Sequence, residues 1–396
     1  MPKLLQIDSC LGIGSTGRIT ESIGALAMAR GWDCYIAHGA RYVGETGMRS
    51  IPVVSTIGEY RHGLKSMLLD RHGLGSICET KRLVEKIKQI KPDIIHLHCI
   101  HGYYLNYKIL FEYLNKTDIP VVWTFHDCWA FTGHCAHFFN AGCEKWKDGC
   151  RNCPLLKDYP RALIDNSDRN YELKRNLFGK NDNLHIVSVS QWLSSLVRES
   201  FLKGKDNMVI NNGVDIKAFC PYPSSVRKPY ILGVASSWNQ SKGLYDFYKI
   251  REYLSEEYDI ILVGLSKEQM TDLPDGITGI SKTESIEELA KLYSGAFAFV
   301  NPTYADSFPT VNMEALACGT PVITYETGGS PEIIDETTGY VVETGDIEGL
   351  IRAIGQIKVN PISKEICRQR AVSLYNKQER FMDYINLYDE ILNVKK

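Results

Sequence analysis

Short apolar runs that do not alternate with polar residues recur along the chain, each followed by a stretch of helical periodicity. A half-solvated strand would alternate, so these runs fit strands buried on both faces of a parallel sheet. The predicted strands are Lys3–Asp8, Cys34–Ala37, Ile94–His98, Val121–Phe125, Ile186–Ser190, Tyr230–Val234, Ile260–Gly264, Phe297–Asn301, Val322–Tyr325 and Tyr340–Val342. Between them, Thr80–Lys91 carries Leu83, Val84, Ile87 and Ile90 on one face before Pro92, and Ser285-Ile-Glu-Glu288 reads as a capping box opening a helix. The rhythm predicts an α/β fold of doubly wound parallel sheets. Cys220–Pro229 holds three prolines that no element interior accepts. The expected layout is a first domain 1–215 with a cysteine-rich loop 128–154, a hinge 216–229, a second domain 230–376, and a helix 377–396 packing back toward the first domain.

Composition then removes whole classes. Forty-five basic against forty-seven acidic residues give a formal charge of −2, which argues against a duplex-DNA binder; no nucleic-acid partner is expected. No run reaches the roughly 18 apolar residues of a membrane span. The first residues, MPKLLQIDSCLGIG, are interrupted by Asp8 and make a poor signal peptide, so a cytoplasmic chain is expected.

Gly12-Ile-Gly14-Ser15-Thr-Gly17 follows the first strand and matches the dinucleotide fingerprint G-x-G-x-x-G. A nicotinamide site also needs an acid closing the second strand to hold the ribose, and His38-Gly39 stands there. Arg18-Ile19 likewise replaces the Lys-Ser/Thr of a Walker loop. What the loop retains is small residues that let backbone N–H groups approach an anion at a helix N-terminus. A tight turn with no ligand is the alternative.

The carboxyl half is more specific. Asp306-Ser307-Phe308-Pro309-Thr310 precedes a short predicted helix containing Glu314 and ending at Gly319 and Pro321, with Ser307 as its expected cap. A helix N-terminus beyond a strand's carboxyl end suits phosphate, and flanking carboxylates suit ribose and hexose hydroxyls.

Asp306, seven residues, Glu314, then Ala-x-Ala-x-Gly-x-Pro-Val resembles the donor signature of retaining GT-B glycosyltransferases of the family-4 type. Asn212-Gly-Val-Asp215 resembles the same family's interdomain stretch, Ser236–Gly243 its lysine loop, and Gly328-Gly-Ser-Pro-Glu332 its later glycine loop. The resemblance implies two Rossmann-like domains facing across a cleft and a UDP- or GDP-sugar donor. It implies that Lys242 neutralises the leaving diphosphate, Glu314 holds the ribose, and Asp306 with Ser307, Phe308, Pro309 and Thr310 orients the hexose. Gly14 and Ser15 would approach the donor phosphates. His126, ending the strand Val121–Phe125, would sit beside the transferred sugar. Retention is attributed in this family to front-face attack without a covalent intermediate. Asp306 stands where the family usually has Glu, and Ser236–Trp238 stand where an arginine is usual, leaving Arg18 as a candidate phosphate contact.

Six of the ten histidines lie between His96 and His137. Cys135, Cys143, Cys150 and Cys153 have the spacing of a structural zinc knuckle, for which His134 or His137 could substitute one ligand. Reduced cysteines or disulfides are the alternatives. No open His/Asp set is apparent, so no cofactor is expected in the catalytic step. Glu59–Asp93 mixes lysines and arginines with Leu64, Met67, Leu68 and Leu69, a pattern that fits either peripheral contact with an anionic inner membrane leaflet or an ordinary solvated helix face. The expected activity is hexosyl transfer to a glycan or lipid-linked glycan in cell-surface polysaccharide synthesis. The rivals are a sugar-nucleotide epimerase, an NAD-dependent oxidoreductase and an inactive glycan-binding protein.

Overall fold

The computed structural model describes residues 1–223 and 228–394. Residues 224–227 of the expected hinge and 395–396 of the expected final helix lie outside the described residues. Contacts divide the chain into two units, Met1–Ile210 with Phe381–Lys396, and Asn211–Arg380. The division thus falls five residues before the expected boundary at 215, and the last stretch of chain clusters with the first unit.

The first unit is a seven-stranded sheet of β1 (Lys3–Asp8), β2 (Asp33–His38), β3 (Arg49–Pro52), β4 (Ile94–Leu97), β5 (Val121–Phe125), β6 (Leu184–Ser188) and β7 (Asp206–Val209), in the order β3-β2-β1-β4-β5-β6-β7. The second has β8 (Tyr230–Val234), β9 (Asp259–Val263), β10 (Ile277–Ile280), β11 (Ala298–Asn301), β12 (Val322–Tyr325) and β13 (Gly339–Val342), ordered β10-β9-β8-β11-β12-β13. Every pairing is parallel, with Leu4 set between Cys34 and Ile94. Three strands were not predicted, β3, β7 and β10, and each is a sheet edge. Strand β6 begins two residues earlier than expected.

In the first unit, Ile19, Ile23 and Ala27 of the helix Gly14–Ala29 pack with Leu4, Ile36 and Ile94. Phe381, Tyr384, Ile385 and Tyr388 of the final helix, which begins at Lys377, enter the same core. Thr124 hydrogen-bonds Tyr384 at 3.2 Å, and the Tyr388 hydroxyl meets His96 at 2.6 Å, so His96 is a fully buried core histidine. The second core joins Phe247 and Ile250 to Ile260, Leu262, Val300 and Ile323 across the sheet.

Two local expectations shift. The helix placed at Thr80–Lys91 spans Ile77–Ile90, burying Leu83, Val84, Ile87 and Ile90 as expected. Ser285 does cap the helix Ile286–Gly295 by accepting from Glu288 N–H, but the Glu288 carboxylate accepts from Glu284 N–H, so the capping box is not reciprocal.

Candidate functional site

Strands β8 and β11 lie side by side where the chain order of the second sheet reverses, the place where open α/β sheets take ligands. The loop after β8 is anchored by buried Trp238, which donates to the Val263 carbonyl at 2.8 Å, and by Asn239, whose side chain accepts from Lys242 N–H. Gly243 has φ +75°, and a Cβ there would lie 2.2 Å from the Pro302 carbonyl oxygen, so this loop rests directly on the one after β11. The Tyr304 N–H donates to the Ser241 carbonyl at 2.8 Å across the same seam. The result is an ion pair of 2.8 Å between Lys242 Nζ and Asp306, both part-exposed. From the other side the loop after β12 arrives at Gly328, φ +57°, where a Cβ would fall 1.8 Å from the Asp306 carbonyl oxygen.

The helix beyond Asp306 spans Thr310–Ala317 and starts after Pro309, not at Ser307. Pro309 pre-sets the helical φ and occupies the cap position, so Ser307 does not cap this helix; its buried hydroxyl has no hydrogen-bond partner among the described residues. Asp306 instead accepts from Phe308 N–H at 3.2 Å. Phe308 is buried against Tyr375, its carbonyl accepting from Asn212, so it supports the loop from beneath. Thr310 and Glu314 remain part-exposed. The Glu314 carboxylate accepts from the buried Tyr293 hydroxyl at 3.0 Å. Burial, with Glu314 beside it, pushes the Tyr293 phenol well above its usual range, so it stays a donor. The sequence gives no sign of Tyr293 because it reads as one more apolar helix position.

In the first unit, Gly12 (φ +64°) and Gly14 (φ +70°) turn the chain into its first helix. A Cβ at Gly12 would strike the Glu45 carbonyl at 2.6 Å, whereas Gly14 and Ser15 are exposed with open space around Gly14. Ile13 occupies the cap position without a side-chain cap, leaving the leading N–H groups to be met from outside. His38 closes β2 and turns back onto the Gly39 carbonyl at 2.6 Å. A carboxylate beside this turn, Glu59, is engaged by Ala40 N–H and by Arg41.

Neighbouring strands β4 and β5 bring a histidine cluster together at their carboxyl ends. His98 Nδ1 and His126 Nε2 are 3.3 Å apart with the rings nearly parallel. Burial pushes His126 down to about 4, against the opposing pull of Asp127, so the ring is neutral near neutral pH. Burial would raise Asp127, but the His101 charge and hydrogen bond, at 3.0 Å, hold it well below the usual carboxylate range. Cys99, His101 and Asp127 place one potential ligand atom each within 4.8 Å of one another. Such a set is not apparent in the sequence, and its His101 and Asp127 are bonded to each other. The set comes from segments far apart in sequence, joined only because β4 pairs with β5.

Cys135, Cys143, Cys150 and Cys153 line one small pocket with His134 and Trp146, and no disulfide links them. Among the described residues, no three of these ligand atoms come within 4.8 Å of one another. The neighbouring Cys135 thiol holds the Cys153 thiol below its usual range. Beneath the loop, the Lys174 ammonium is buried, donating to the Trp129 and Thr132 carbonyls at 2.6 and 3.0 Å. Burial lowers it to about 7.

A family model described as Glycosyltransferase Family 4 matches residues 18–218, and one described as Glycosyl transferases group 1 matches residues 228–359. A putative colanic acid biosynthesis glycosyl transferase of Escherichia coli K12 is 27% identical over 341 residues, covering 82% of each chain. The O-antigen chain mannosyltransferase of Salmonella typhimurium is 26% identical over 219 residues, covering 53% of this chain and 58% of that one. Among solved structures, sucrose-phosphate synthase from Thermosynechococcus elongatus superposes with a TM-score of 0.74 at 18% identity, covering 100% of both chains. Anabaena HepE in complex with UDP-glucose superposes with a TM-score of 0.67 at 14% identity, covering 98% of this chain and 99% of that one. With its two parallel-sheet units, the chain has the GT-B fold and belongs to glycosyltransferase family 4.

Proposed function

We propose that the chain moves a hexose from a UDP- or GDP-sugar to a glycan or lipid-linked glycan in cell-surface polysaccharide assembly, with retention of configuration and without metal in the chemical step. The observation that carries this is the Lys242–Asp306 pair at 2.8 Å beside the start of the helix Thr310–Ala317, with Glu314 held by Tyr293. In this reading the donor diphosphate takes Lys242 from Asp306, and the freed carboxylate accepts from hexose hydroxyls. Glu314 accepts from the ribose, Thr310 and its neighbouring N–H groups face phosphate, and the N–H groups at Gly14 and Ser15 are suited to phosphate as well. The anomeric C–O bond to phosphate breaks as the acceptor oxygen attacks from the same face, and the acceptor proton passes to the departing phosphate. Lys242 stabilises the charge that grows on that phosphate. Neutral His126 positions a sugar hydroxyl. The polysaccharide setting is supported by the names of the Escherichia coli and Salmonella relatives, and the donor class by the Anabaena protein solved with UDP-glucose. A nicotinamide site is disfavoured because Glu59 is engaged by Arg41 and Ala40.

Calorimetry with UDP, GDP, ADP and NAD tests this site. One nucleoside diphosphate is expected to bind saturably, and Glu314→Gln to weaken it by about 10- to 100-fold, or about 1.4–2.8 kcal/mol. Free nucleoside diphosphate should then form only when acceptor is present. An isomerised donor would identify an epimerase instead, and binding of NAD alone would overturn the proposal.

The acceptor side carries a surface suited to a lipid-linked substrate. Ile57, Tyr60, Leu64 and Leu68 are exposed along the helix Thr56–Leu69, with exposed Leu163 hydrogen-bonded by its N–H to the Met67 carbonyl. Arg61 and Lys65 lie within this stripe. An apolar face edged with cations fits the inner leaflet of an anionic membrane. No described helix is long and apolar enough to cross one. Co-sedimentation with anionic vesicles at low salt is expected, falling several-fold in Leu64→Glu; wild-type protein left in the supernatant would refute membrane contact. The pocket of the four cysteines we assign to a structural zinc ion.

A further inference from the structure

A neutral histidine carries its proton on one ring nitrogen, and for His126 the choice decides whether it offers a ligand a donor or an acceptor. Its neighbours make that choice. The chain of contacts starts at Gln6 on β1, whose side chain is fully buried. One end of its amide lies 2.8 Å from the Thr20 carbonyl of the helix Gly14–Ala29. A carbonyl only accepts, so that end is the NH2 group and the other is the oxygen Oε1. Gly24 makes room for the amide: a Cβ there would lie 2.8 Å from Gln6 Nε2 and 2.0 Å from Met48 Sδ.

Gln6 Oε1 is 3.3 Å from His98 Nε2. An amide oxygen accepts and cannot donate, so His98 carries its proton on Nε2. His98 is 2% exposed. Its N–H donates to the Ile7 carbonyl and its own carbonyl accepts from the Trp123 indole, both at 2.9 Å, so the residue is held on two sides. Neither ring partner is a carboxylate, and burial pushes His98 well below the usual histidine range, which excludes a second proton near neutral pH. His98 Nδ1 therefore holds a lone pair. It faces His126 Nε2 at 3.3 Å, and a hydrogen bond between two ring nitrogens contains one proton, which is left to His126 Nε2. Asp127 does not compete for it. One carboxylate oxygen pairs with His101 at 3.0 Å and the other accepts from Trp129 N–H at 2.8 Å. His126 is part-exposed, and the nitrogen not used by His98 is Nδ1.

Resting on the reading that His126 meets a sugar hydroxyl, we infer that Gln6 and His98 are positioning residues that hold His126 in the Nε2–H tautomer, so that the nitrogen it offers the sugar, Nδ1, is an acceptor. The group it meets has to donate, which suits a hydroxyl and turns away a phosphate oxygen.

Nitrogen-15 spectra of the full chain with labelled histidine test this, because the protonated and bare nitrogens of a neutral imidazole resonate far apart. His126→Ala identifies the His126 signals by their disappearance. In wild type, His126 should show a protonated Nε2 and a bare Nδ1. In Gln6→Leu the Nε2 proton of His98 loses its acceptor and gains by moving to Nδ1, from which it donates to His126. The ratio of Nδ1–H to Nε2–H forms of His126 should then rise about 10-fold, the worth of one buried hydrogen bond. Wild-type His126 protonated on Nδ1 would overturn the inference, as would a ratio unchanged in Gln6→Leu, and both would leave the transferase reading in place. The wild-type spectrum decides even where Gln6→Leu fails to fold. The expected tautomer together with undiminished sugar-nucleotide turnover in His126→Ala would instead overturn the reading that His126 meets the sugar.

Discussion

Replacing Lys242 with alanine is expected to lower kcat about a thousandfold while leaving the fold in place, because in the proposed mechanism this ammonium meets the charge that appears only as the sugar–phosphate bond breaks. A preorganised group of this kind contributes on the order of 3–4 kcal/mol to the barrier, which is a factor of a few hundred to a thousand. The loss should fall on kcat at saturating donor more than on KM. Stability should barely move. The Lys242–Asp306 pair is part-exposed, and such pairs contribute about 0–1 kcal/mol. The contrast is the test: single-turnover rates and thermal unfolding measured together on wild type and Lys242→Ala. Turnover within fivefold of wild type would remove Lys242 from the mechanism. A collapsed melting temperature would instead make it a structural residue.

Gly328→Ala should reach the same chemistry through the backbone. The added methyl would lie 1.8 Å from the Asp306 carbonyl oxygen, at a position whose φ of +57° already disfavours a side chain. The left-handed conformation alone costs about 1–2 kcal/mol. The collision adds to this and has to move the Asp306 segment, since the obstacle is backbone and not a flexible side-chain end. Displacing a positioning group by about 1 Å is enough for a hundredfold loss of rate. Gly31 supplies the control: φ is +86° with nothing within 4 Å of the added methyl, so Gly31→Ala should cost about 1 kcal/mol of stability and no activity. Equal activities in the two variants would mean that the Gly328 contact does not position Asp306.

How much of this was legible beforehand follows from burial. Strands such as β1, β5 and β12 are covered on both faces, so their apolar runs announce them. The edge strand β3 exposes Arg49, Ser50 and Pro52, and β7 alternates exposed with half-buried residues; neither writes an apolar run. The proposed donor loop was legible as a candidate because Asp306 and Glu314 lie on one short segment with a helix between sharp stops. What supports it could not: Tyr293 reaches Glu314 from another helix, and Gly328 reaches Asp306 from another loop. Residue type alone points to Ser307 as the cap, whereas Pro309, two residues later, sets where the helix starts. The Gln6–His98 contact spans 92 residues, and local spacing carries no trace of it.

The placement of Phe381, Tyr384 and Tyr388 inside the core built by residues of the first strands has a consequence for synthesis. As the chain leaves the ribosome, its first 210 residues emerge together, yet the helix that completes their core is translated only after all of Asn211–Arg380. The second unit is contiguous and can close as soon as it is made, while the earlier one waits with an apolar groove uncovered. Domains usually fold in the order in which they are translated. Here the first to be translated is the last to be finished, and a nascent chain stalled before Phe381 is the form most exposed to aggregation and most in need of a chaperone.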